Sequence, residues 1–258
     1  MSQLLAGKHA LVTGGARGIG AAITRVLLAH GARVTMLGRS VAAPTDADLD
    51  IAKIRELNYI SADVSDSDAV KQAFEASRSR FGKIEILVNN AGQASSAPFL
   101  KTDIALWRRM MSINLDGTFH CSQAALPDML AARWGRIVNI ASTAGLAGYA
   151  YVSAYCASKH GVIGLTRALA MEVAAKGVTV NAVCPGYTES DMVTESVANI
   201  AAKTGRTPDQ ALAELVSRNP QKRLIKPEEV ANAVAWLCRP GSEAVSGQAI
   251  SVSGGELT

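Results

Sequence analysis

The sequence predicts a single-domain α/β fold in which a parallel sheet of about seven strands carries helices on both faces. Short runs rich in β-branched residues alternate with helical stretches along the whole chain. The chain has 258 residues, of which 48% are apolar and 19% are charged, and this composition excludes a disordered protein. A domain of this length buries roughly three quarters of its unfolded surface, so it needs no metal or disulfide to fold.

The first half of the chain alternates strands with two helices. The first helix opens near Gly18 and ends where Gly31 supplies a left-handed residue. The second helix has Ser65 as its expected N-cap, with Asp68 at the capping-box position, and it ends at Gly82. The predicted strands of this half are residues 9–13, 33–37, 59–62 and 84–88. Residues 40–50, which contain one proline and three aspartates, are expected to form a surface loop.

The second half has longer predicted helices. The start of one of them is marked by three residues: Thr207 as cap, Pro208 at the first helical position and Gln210, which completes a capping box. The segment after the sixth strand is long and is expected to form a small helical lid, about residues 187–223. The predicted helices are at about 103–131, 150–176, 208–217 and 227–238, and the predicted strands are 136–140, 178–183 and 248–252.

Charge and cysteine usage exclude several classes of function. The net charge is +4, from 26 basic and 22 acidic residues, and the basic residues are scattered, so nucleic-acid binding is not expected. The cysteines show no C-x-x-C pair, so we expect reduced thiols and neither a metal site nor a disulfide framework. They are Cys121, Cys156, Cys184 and Cys238. No stretch resembles a signal peptide or a membrane span, and a cytoplasmic protein is expected.

A glycine-rich turn, T-G-G-A-R-G-I-G at residues 13–20, lies between the first strand and the first helix. Glycines let the backbone approach a pyrophosphate, which then meets free N–H groups and the positive end of the helix dipole. Alone, such a motif also fits a tight turn that binds nothing. The residues expected to hold the phosphates of a dinucleotide are Gly14, Ala16, Arg17, Gly18, Ile19 and Gly20.

The end of the second strand predicts which dinucleotide binds. An acidic residue about 20 positions past the glycines would hydrogen-bond the ribose 2′-hydroxyl of NAD. Here Gly38 takes that position and Arg39 follows it. Arg39, with Arg17 nearby, offers planar cations that match phosphate oxygens, so the sequence favours NADP. The alternative is that Arg39 is an ordinary solvated residue.

Tyr155 and Lys159 are four residues apart on a predicted helix and therefore share one face. A phenol has a pKa near 10, and lowering it by about two costs roughly 2.7 kcal/mol. A lysine ammonium about 4 Å away supplies about 4 kcal/mol at an intermediate dielectric, so we expect Lys159 to lower the pKa of Tyr155. On spacing alone, a solvated surface pair fits as well.

Six motifs follow one another at characteristic spacing. They are T-G-x-x-x-G-x-G at 13–20, N-N-A-G at 89–92, Asn114, Ser142, Y-x-x-x-K at 155–159 and P-G at 185–186. Together they resemble the short-chain dehydrogenase/reductase family over about residues 5–255. The resemblance implies a Rossmann-type doubly wound sheet, an NADP-dependent oxidoreductase and a homotetramer.

The resemblance implies a role for each of four catalytic residues. Tyr155 is the general acid-base that gives its proton to a carbonyl oxygen as hydride arrives from the nicotinamide. Lys159 holds the nicotinamide ribose and lowers the pKa of Tyr155. Ser142 hydrogen-bonds the substrate oxygen, as an oxyanion-hole group does. Asn114 interrupts its helix and seats a water that extends the proton relay.

Further cofactor contacts are implied in the same way. Asp63 is expected at the adenine, Asn89 beside the adenosine ribose and in support of the sheet, and the turn after the sixth strand beside the nicotinamide. The implied residues are Asp63, Val64, Asn90, Ala91, Gly92, Pro185, Gly186 and Thr188.

The sequence says less about the substrate. The side chains expected to face it are mostly apolar, which favours an acyl chain or a ring over a sugar. They are Gln93, Ser142, Leu146, Tyr149, Tyr187 and Met192. Residues 181–188 and 239–248 resemble 3-oxoacyl-thioester reductases, whose substrates are carried by coenzyme A or acyl carrier protein. Arg133 and Lys176 occupy positions at which the carrier-protein enzymes place basic residues, although cations are common at helix ends.

Two other functions stay open. A dehydrogenase of a secondary alcohol, a hydroxyacyl-CoA or a steroid would use the same residues. A non-catalytic NADP-binding protein would keep the glycine turn but would not need Tyr155, Lys159, Ser142 and Asn114 together.

Overall fold

The computed structural model describes residues 3–39 and 55–257. Within them, seven strands form one sheet in the order β3-β2-β1-β4-β5-β6-β7, and every neighbouring pair is parallel. The strands are β1 (His9–Thr13), β2 (Arg33–Gly38), β3 (Leu57–Ser61), β4 (Ile86–Asn89), β5 (Gly135–Ile140), β6 (Val178–Pro185) and β7 (Ala249–Val252). The loop predicted at 40–50 lies outside the described residues.

Helices cover both faces of the sheet, as the alternating pattern predicted. Those of the described part are α1 (Gly18–Ala29), α2 (Ser67–Phe81), α3 (Ile104–Met111), α4 (Gly117–Ala132), α5 (Ser153–Val173), α6 (Asp191–Thr204), α7 (Pro208–Leu215) and α8 (Pro227–Cys238). On one face, Ile23 of α1 and Val234 of α8 are buried in one apolar cluster. On the other, Phe74 of α2 and Cys121 of α4 belong to a second. The α/β fold prediction is confirmed.

The strand order places a crevice above the centre of the sheet. The connections run outward from β1 towards β3 in one direction and from β4 towards β7 in the other. In open parallel sheets, ligands bind at the carboxyl ends of the strands, where the order reverses. Thr13 ends β1 and Asn89 ends β4, so the residues that follow them border this crevice.

Two predicted helices differ from those observed. The helix expected at about 103–131 is interrupted by a π-helical turn, Ser112–Asp116, which contains Asn114 and agrees with the interruption that the resemblance implies. The cap of α2 is Asp66, whose carboxylate accepts from the backbone N–H groups of Asp68 and Ala69. Ser65 was the wrong prediction, because its hydroxyl donates to Asp63 Oδ1 at 2.7 Å and is not available to the helix.

Several other local predictions are confirmed. Gly31 has φ 88° after α1, and Gly82 has φ 81° after α2. Thr207 and Gln210 form the capping box at the start of α7. All four cysteines are free thiols, and Cys121, Cys184 and Cys238 are buried.

None of the helices in the described residues is both long and apolar enough to cross a membrane. In the same part of the chain, no group of three or more side chains is arranged to hold a metal ion.

Candidate active site

The glycine-rich turn between β1 and α1 has a backbone that only glycine accommodates well. Gly14 and Gly18 have φ of 64° and 51°. A Cβ on Gly20 would lie 2.0 Å from the carbonyl oxygen of Gly14, so the first turn of α1 packs directly on the loop. Arg17 is the N-cap residue, and no side chain caps the helix. This open helix N-terminus fits the phosphate groups of a dinucleotide.

The segment after β4 holds the glycine turn in place. Thr13 Oγ1 accepts from the backbone N–H groups of Asn90 and Ala91, both at 2.9 Å. The side-chain amide of Asn90 donates to the carbonyl oxygens of Thr13 and Gly14, at 3.0 and 3.1 Å. Asn90 and Ala91, which the resemblance places at the cofactor, therefore border the turn. Thr13 was not among the predicted site residues, and a threonine before a glycine turn is the signal that could have found it.

Asn89 points into the protein instead. Its amide donates to Ser122 Oγ at 3.0 Å and to Asn139 Oδ1 at 2.8 Å. The side chain is buried between β4, β5 and α4. Asn89 thus ties the centre of the sheet together, which is the structural part of the role that the resemblance implies.

The edge of the crevice beside β2 has a basic residue and no acid at the end of the strand. Arg39 follows Gly38 and is exposed. Asp63, at the end of the neighbouring strand, accepts from the backbone and hydroxyl of Ser65. Burial opposes ionisation of Asp63, but these hydrogen bonds and the nearby Arg39 outweigh it and lower the pKa of its carboxyl. Val64, next to Asp63, is a buried core residue.

The Arg17 side chain reaches the segment that follows β6. Its guanidinium is 3.6 Å from the carboxylate of Asp191, the first residue of α6, and both side chains are largely exposed. An exposed pair of this kind contributes little to stability. Arg17 therefore remains available to an anionic ligand at the glycine turn.

Ser142, Tyr155 and Lys159 are brought together by close backbone packing. Ser142 follows β5 and caps a short turn, Thr143–Gly145, by accepting from Ala144 N at 3.1 Å. A Cβ on Gly145 would lie 2.8 Å from the carbonyl oxygen of Lys159, so this turn touches the backbone of α5. The contact places the Ser142 hydroxyl close enough to the phenol of Tyr155 to lower the pKa of the phenol.

The Lys159 ammonium lies beneath the tyrosine. It is 5.8 Å from the centroid of the Tyr155 ring, and it donates to the carbonyl oxygen of Ile140 at 2.8 Å. The side chain is only 5% exposed. Burial lowers the pKa of Lys159 to about 8. The sequence-based pairing of these residues on one helix face is thus present in the structure.

The expected lowering of the pKa of Tyr155 is wrong for the protein without a cofactor. Burial raises the pKa of Tyr155 to about 12, and the nearby Ser142 hydroxyl only partly offsets this rise. Desolvation is the largest effect because the phenolate would be half-buried, and the ammonium of Lys159 is itself destabilised by burial. The phenol of Tyr155 is therefore a proton donor at neutral pH.

Asn114 lies in the π-helical turn and is buried. Its amide donates to Gln93 O at 3.0 Å and to Ser158 Oγ at 3.1 Å, and its Oδ1 accepts from Gln93 N at 2.9 Å. Thr118 donates to the carbonyl oxygen of Asn114 at 2.8 Å. Asn114 thereby connects the segment after β4 to the helix that carries Tyr155, and Ser158 is a site residue that the sequence reasoning missed.

Gly92 explains why these elements approach so closely. A Cβ there would lie 3.0 Å from Asn114 Oδ1 and 3.6 Å from Lys159 Nζ. The same crevice is bordered by the turn after β6, where Thr188 donates to Gly186 O at 3.0 Å. Cys184, just before Pro185, is buried, and burial raises the pKa of its thiol to about 11.

The predicted substrate side chains have different surroundings. Tyr149 donates to Glu256 Oε1 at 2.6 Å, and Glu256 was not predicted. Leu146 is 36% exposed, and Tyr187 is half-buried. Gln93 is held by Asn114 through its backbone alone. The side chain of Met192 lies outside the described residues.

Arg133 and Lys176 lie away from this crevice. Arg133 ends α4 directly before β5, and Lys176 precedes β6. A Cβ on Gly177 would be 2.2 Å from Arg133 O, so the two segments are adjacent. Both residues are at the amino edge of the parallel sheet, whereas Ser142 is at the carboxyl edge. Within one chain they do not border the site.

Comparison with known proteins finds the same combination of features. A family model described as short chain dehydrogenase matches residues 8–201. The chain is 37% identical over 259 residues to D-beta-hydroxybutyrate dehydrogenase of Cupriavidus necator, covering 98% of each chain. It is 38% identical over 250 residues to a putative ketoacyl reductase of Streptomyces coelicolor, covering 95% of each.

A solved structure extends the similarity to three dimensions. The crystal structure of an actinorhodin polyketide ketoreductase variant with NADPH superimposes with a TM-score of 0.89 at 35% sequence identity. The match covers 99% of both chains. The fold therefore agrees from end to end with that of a ketoreductase.

Proposed function

The chain belongs to the short chain dehydrogenase family of oxidoreductases, and we propose that it uses NADPH to reduce the keto group of a 3-oxoacyl thioester to a secondary alcohol. The observation that carries the proposal is that Ser142 and Tyr155, both half-buried, lie together with the buried Lys159 at the carboxyl edge of the sheet. We propose that the chain is a single NADP-binding catalytic domain, with residues 187–223 as its lid.

The residues at the crevice fit a dinucleotide. The open N-terminus of α1 and the glycine turn fit the pyrophosphate, and a Cβ on Gly14 would lie 2.9 Å from Asn90 Nδ2, so the turn packs closely on the segment after β4. Lys159, Pro185, Gly186 and Thr188 would hold the nicotinamide end. When bound, the reduced nicotinamide supplies the hydride.

Two observations support NADP rather than NAD. No carboxylate follows β2, because Gly38 and Arg39 occupy the positions where NAD-binding proteins place an acid. Arg39 also lies close enough to Asp63 to lower the pKa of that carboxyl, so the guanidinium is near the adenosine end of the crevice. A 2′-phosphate there would be neutralised by Arg39.

The protonation states of the side chains determine which of them would give a proton to the substrate. Tyr155 keeps its proton at neutral pH, because its pKa is about 12, and it would donate that proton to the substrate oxygen. The Ser142 hydroxyl would hydrogen-bond the same oxygen and stabilise its developing charge. Lys159 would provide positive charge beneath the phenol as Tyr155 loses its proton. Asn114 and Ser158 would keep this helix in register with the segment after β4.

A second candidate function is favoured by one comparison. D-beta-hydroxybutyrate dehydrogenase acts, by its name, on a hydroxy acid, and the same four catalytic residues would serve oxidation of a secondary alcohol. In that direction Tyr155 would accept the proton. Initial rates with 3-oxoacyl thioesters, neutral ketones and hydroxy acids, each with both cofactors, would separate the two candidates.

The proposal is tested by replacing Tyr155 with phenylalanine. We expect kcat to fall by about 10² to 10⁴, because the proton donor is lost while the cofactor contacts are kept. NADPH affinity, measured by the fluorescence of the reduced nicotinamide, is expected to change little. Tyr151→Phe is the matched control, because that side chain is 67% exposed. A Tyr155→Phe enzyme with normal turnover would contradict the proposal.

A further inference from the structure

We propose that Glu256 is a specificity-determining residue whose carboxylate excludes substrates with a free carboxylate and so favours neutral 3-oxo esters and thioesters. This inference rests on the proposed function, since it concerns the substrate of the same site. It distinguishes between the two candidate functions, because a 3-hydroxy acid carries a carboxylate and a thioester does not.

Glu256 is fixed at the substrate side of the crevice by Tyr149. The phenol of Tyr149 donates to Glu256 Oε1 at 2.6 Å, a short charge-assisted hydrogen bond. Thr143, the residue after Ser142, is close enough to Tyr149 to oppose the rise of its pKa. Burial and Glu256 raise the pKa of Tyr149 to about 12, so the phenol remains the donor. The loop of the catalytic serine and the segment after β7 are thereby joined.

The other carboxylate oxygen lies against the turn that follows β6. A Cβ on Gly186 would lie 3.1 Å from Glu256 Oε2, so this oxygen is close to the Pro185-Gly186 backbone. Gly186 is one of the residues expected beside the nicotinamide. The Glu256 carboxylate therefore lies at the same edge of the sheet as the proposed reacting groups.

Tyr187 connects Glu256 with the catalytic tyrosine. Burial raises the pKa of Tyr187, Glu256 adds to the rise, and Arg218 opposes it. Tyr187 in turn contributes to the raised pKa of Tyr155, after burial. Tyr187 thus lies near both Glu256 and Tyr155, and the contacts of Glu256 with Tyr149 and with the Gly186 turn place its carboxylate at the substrate region.

The charge of Glu256 is not cancelled by a salt bridge in the described part of the chain. Arg218 is the nearby cation, with its guanidinium 5.1 Å from the centroid of the Tyr149 ring. Arg218 is exposed and therefore screened by water, whereas Glu256 is half-buried. The Glu256 carboxylate is therefore a half-buried negative charge beside Tyr149.

The test compares two substrates that differ in charge but share a 3-oxobutanoyl skeleton. Acetoacetate carries a carboxylate, and methyl acetoacetate carries a neutral ester in its place. We expect Glu256→Gln to raise the ratio of kcat/KM for acetoacetate to kcat/KM for the ester by about tenfold, since one unit charge is removed. Arg218→Gln is expected to lower the same ratio by a smaller factor. Glu172→Gln, on the exposed surface of α5, is the matched control and is expected to leave it unchanged.

Binding provides a readout that does not require turnover. Both ketones are titrated calorimetrically into the wild-type protein and Glu256→Gln, with and without NADP⁺, which cannot reduce them. The inference predicts tighter binding of acetoacetate to the variant and unchanged binding of the ester. An unchanged preference in the variant would overturn the role of Glu256, even if the ester is reduced normally. Absence of turnover with both ketones, alongside the predicted change in binding, would overturn the proposed function and leave Glu256 as the selective group.

Discussion

The ammonium of Lys159 donates to the backbone carbonyl of Ile140 at 2.8 Å and forms no salt bridge with any described acidic side chain. An isolated buried cation destabilises the folded state. The fall of its pKa from 10.5 to about 8 corresponds to about 3 kcal/mol. The charged form of Lys159 therefore lowers the free energy of unfolding, and such a loss of stability is common for catalytic groups.

This cost has a defined pH dependence. Because the folded pKa of Lys159 lies below the unfolded one, its favourable contribution is complete above pH 10.5 and is lost as the pH falls through about 8. We expect the free energy of unfolding of the wild type, relative to Lys159→Met, to rise by about 3 kcal/mol between these pH values. Urea unfolding at a series of pH values measures it. For Lys176→Met, at an exposed lysine, we expect the difference in free energy of unfolding from the wild type not to change with pH.

Replacement of Arg39 is expected to weaken the preference for NADP. Arg39→Ser removes a cation that matches a phosphate but leaves contacts with the rest of the dinucleotide in place. The ratio of kcat/KM with NADPH to that with NADH is expected to fall by about tenfold to a hundredfold, since charge-assisted hydrogen bonds contribute about 1.5–3 kcal/mol. Arg239→Ser, at another exposed arginine, provides the comparison. A wild-type protein that prefers NADH would refute the assignment.

Asn114→Ala is expected to reduce both stability and turnover. The substitution leaves the backbone N–H and carbonyl of Gln93 without their partner and breaks the link to Ser158. Unpaired buried groups cost about 1–3 kcal/mol each. Ser158→Ala removes only one of these hydrogen bonds and should have a smaller effect on chemical denaturation. If both variants kept wild-type stability and kcat, the proposed connection between the segment after β4 and α5 would be wrong.

Gly20→Ala tests the phosphate cradle through the backbone. The new methyl group would lie 2.0 Å from Gly14 O, so the turn and the start of α1 must separate. We expect a large rise in the dissociation constant of NADPH and a lower Tm. Gly164→Ala, within α5, meets no atom within 4 Å and is expected to be neutral or to stabilise by about 0.5–1 kcal/mol. Equal behaviour of the two variants would exclude the proposed packing.

The sequence predicted those features that depend on local chemistry. Alternating apolar runs gave the parallel sheet, and glycines such as Gly31 and Gly82 marked helix ends because a left-handed backbone favours glycine. The spacing of Tyr155 and Lys159 placed them on one helix face because the helical repeat is regular. The N-cap of α2 is Asp66 and not Ser65, because the hydroxyl of Ser65 donates to Asp63. The spacing of residues does not reveal this hydrogen bond.

Other features depend on contacts between distant parts of the chain. The bond between Tyr149 and Glu256 joins residues 107 positions apart, and no motif marks it. The helical pattern of the sequence shows no break at Asn114, where the structure has a π-helical turn. The side-chain partner Ser158 lies on another element, so local periodicity does not reveal the turn. The pKa of Tyr155 was predicted in the wrong direction, because the attraction between Lys159 and the phenolate was considered without the burial of Tyr155. Burial has the larger effect.

The close contact between Gly145 and the Lys159 carbonyl has a consequence for protein engineering. A search for reactive side chains would pass over this glycine, yet any larger residue there would force apart the two segments that hold Ser142 and Tyr155. Libraries that diversify the loop after β5 to broaden substrate range should therefore keep position 145 invariant. Transplanting the three reactive side chains onto another scaffold would require transferring this backbone contact with them.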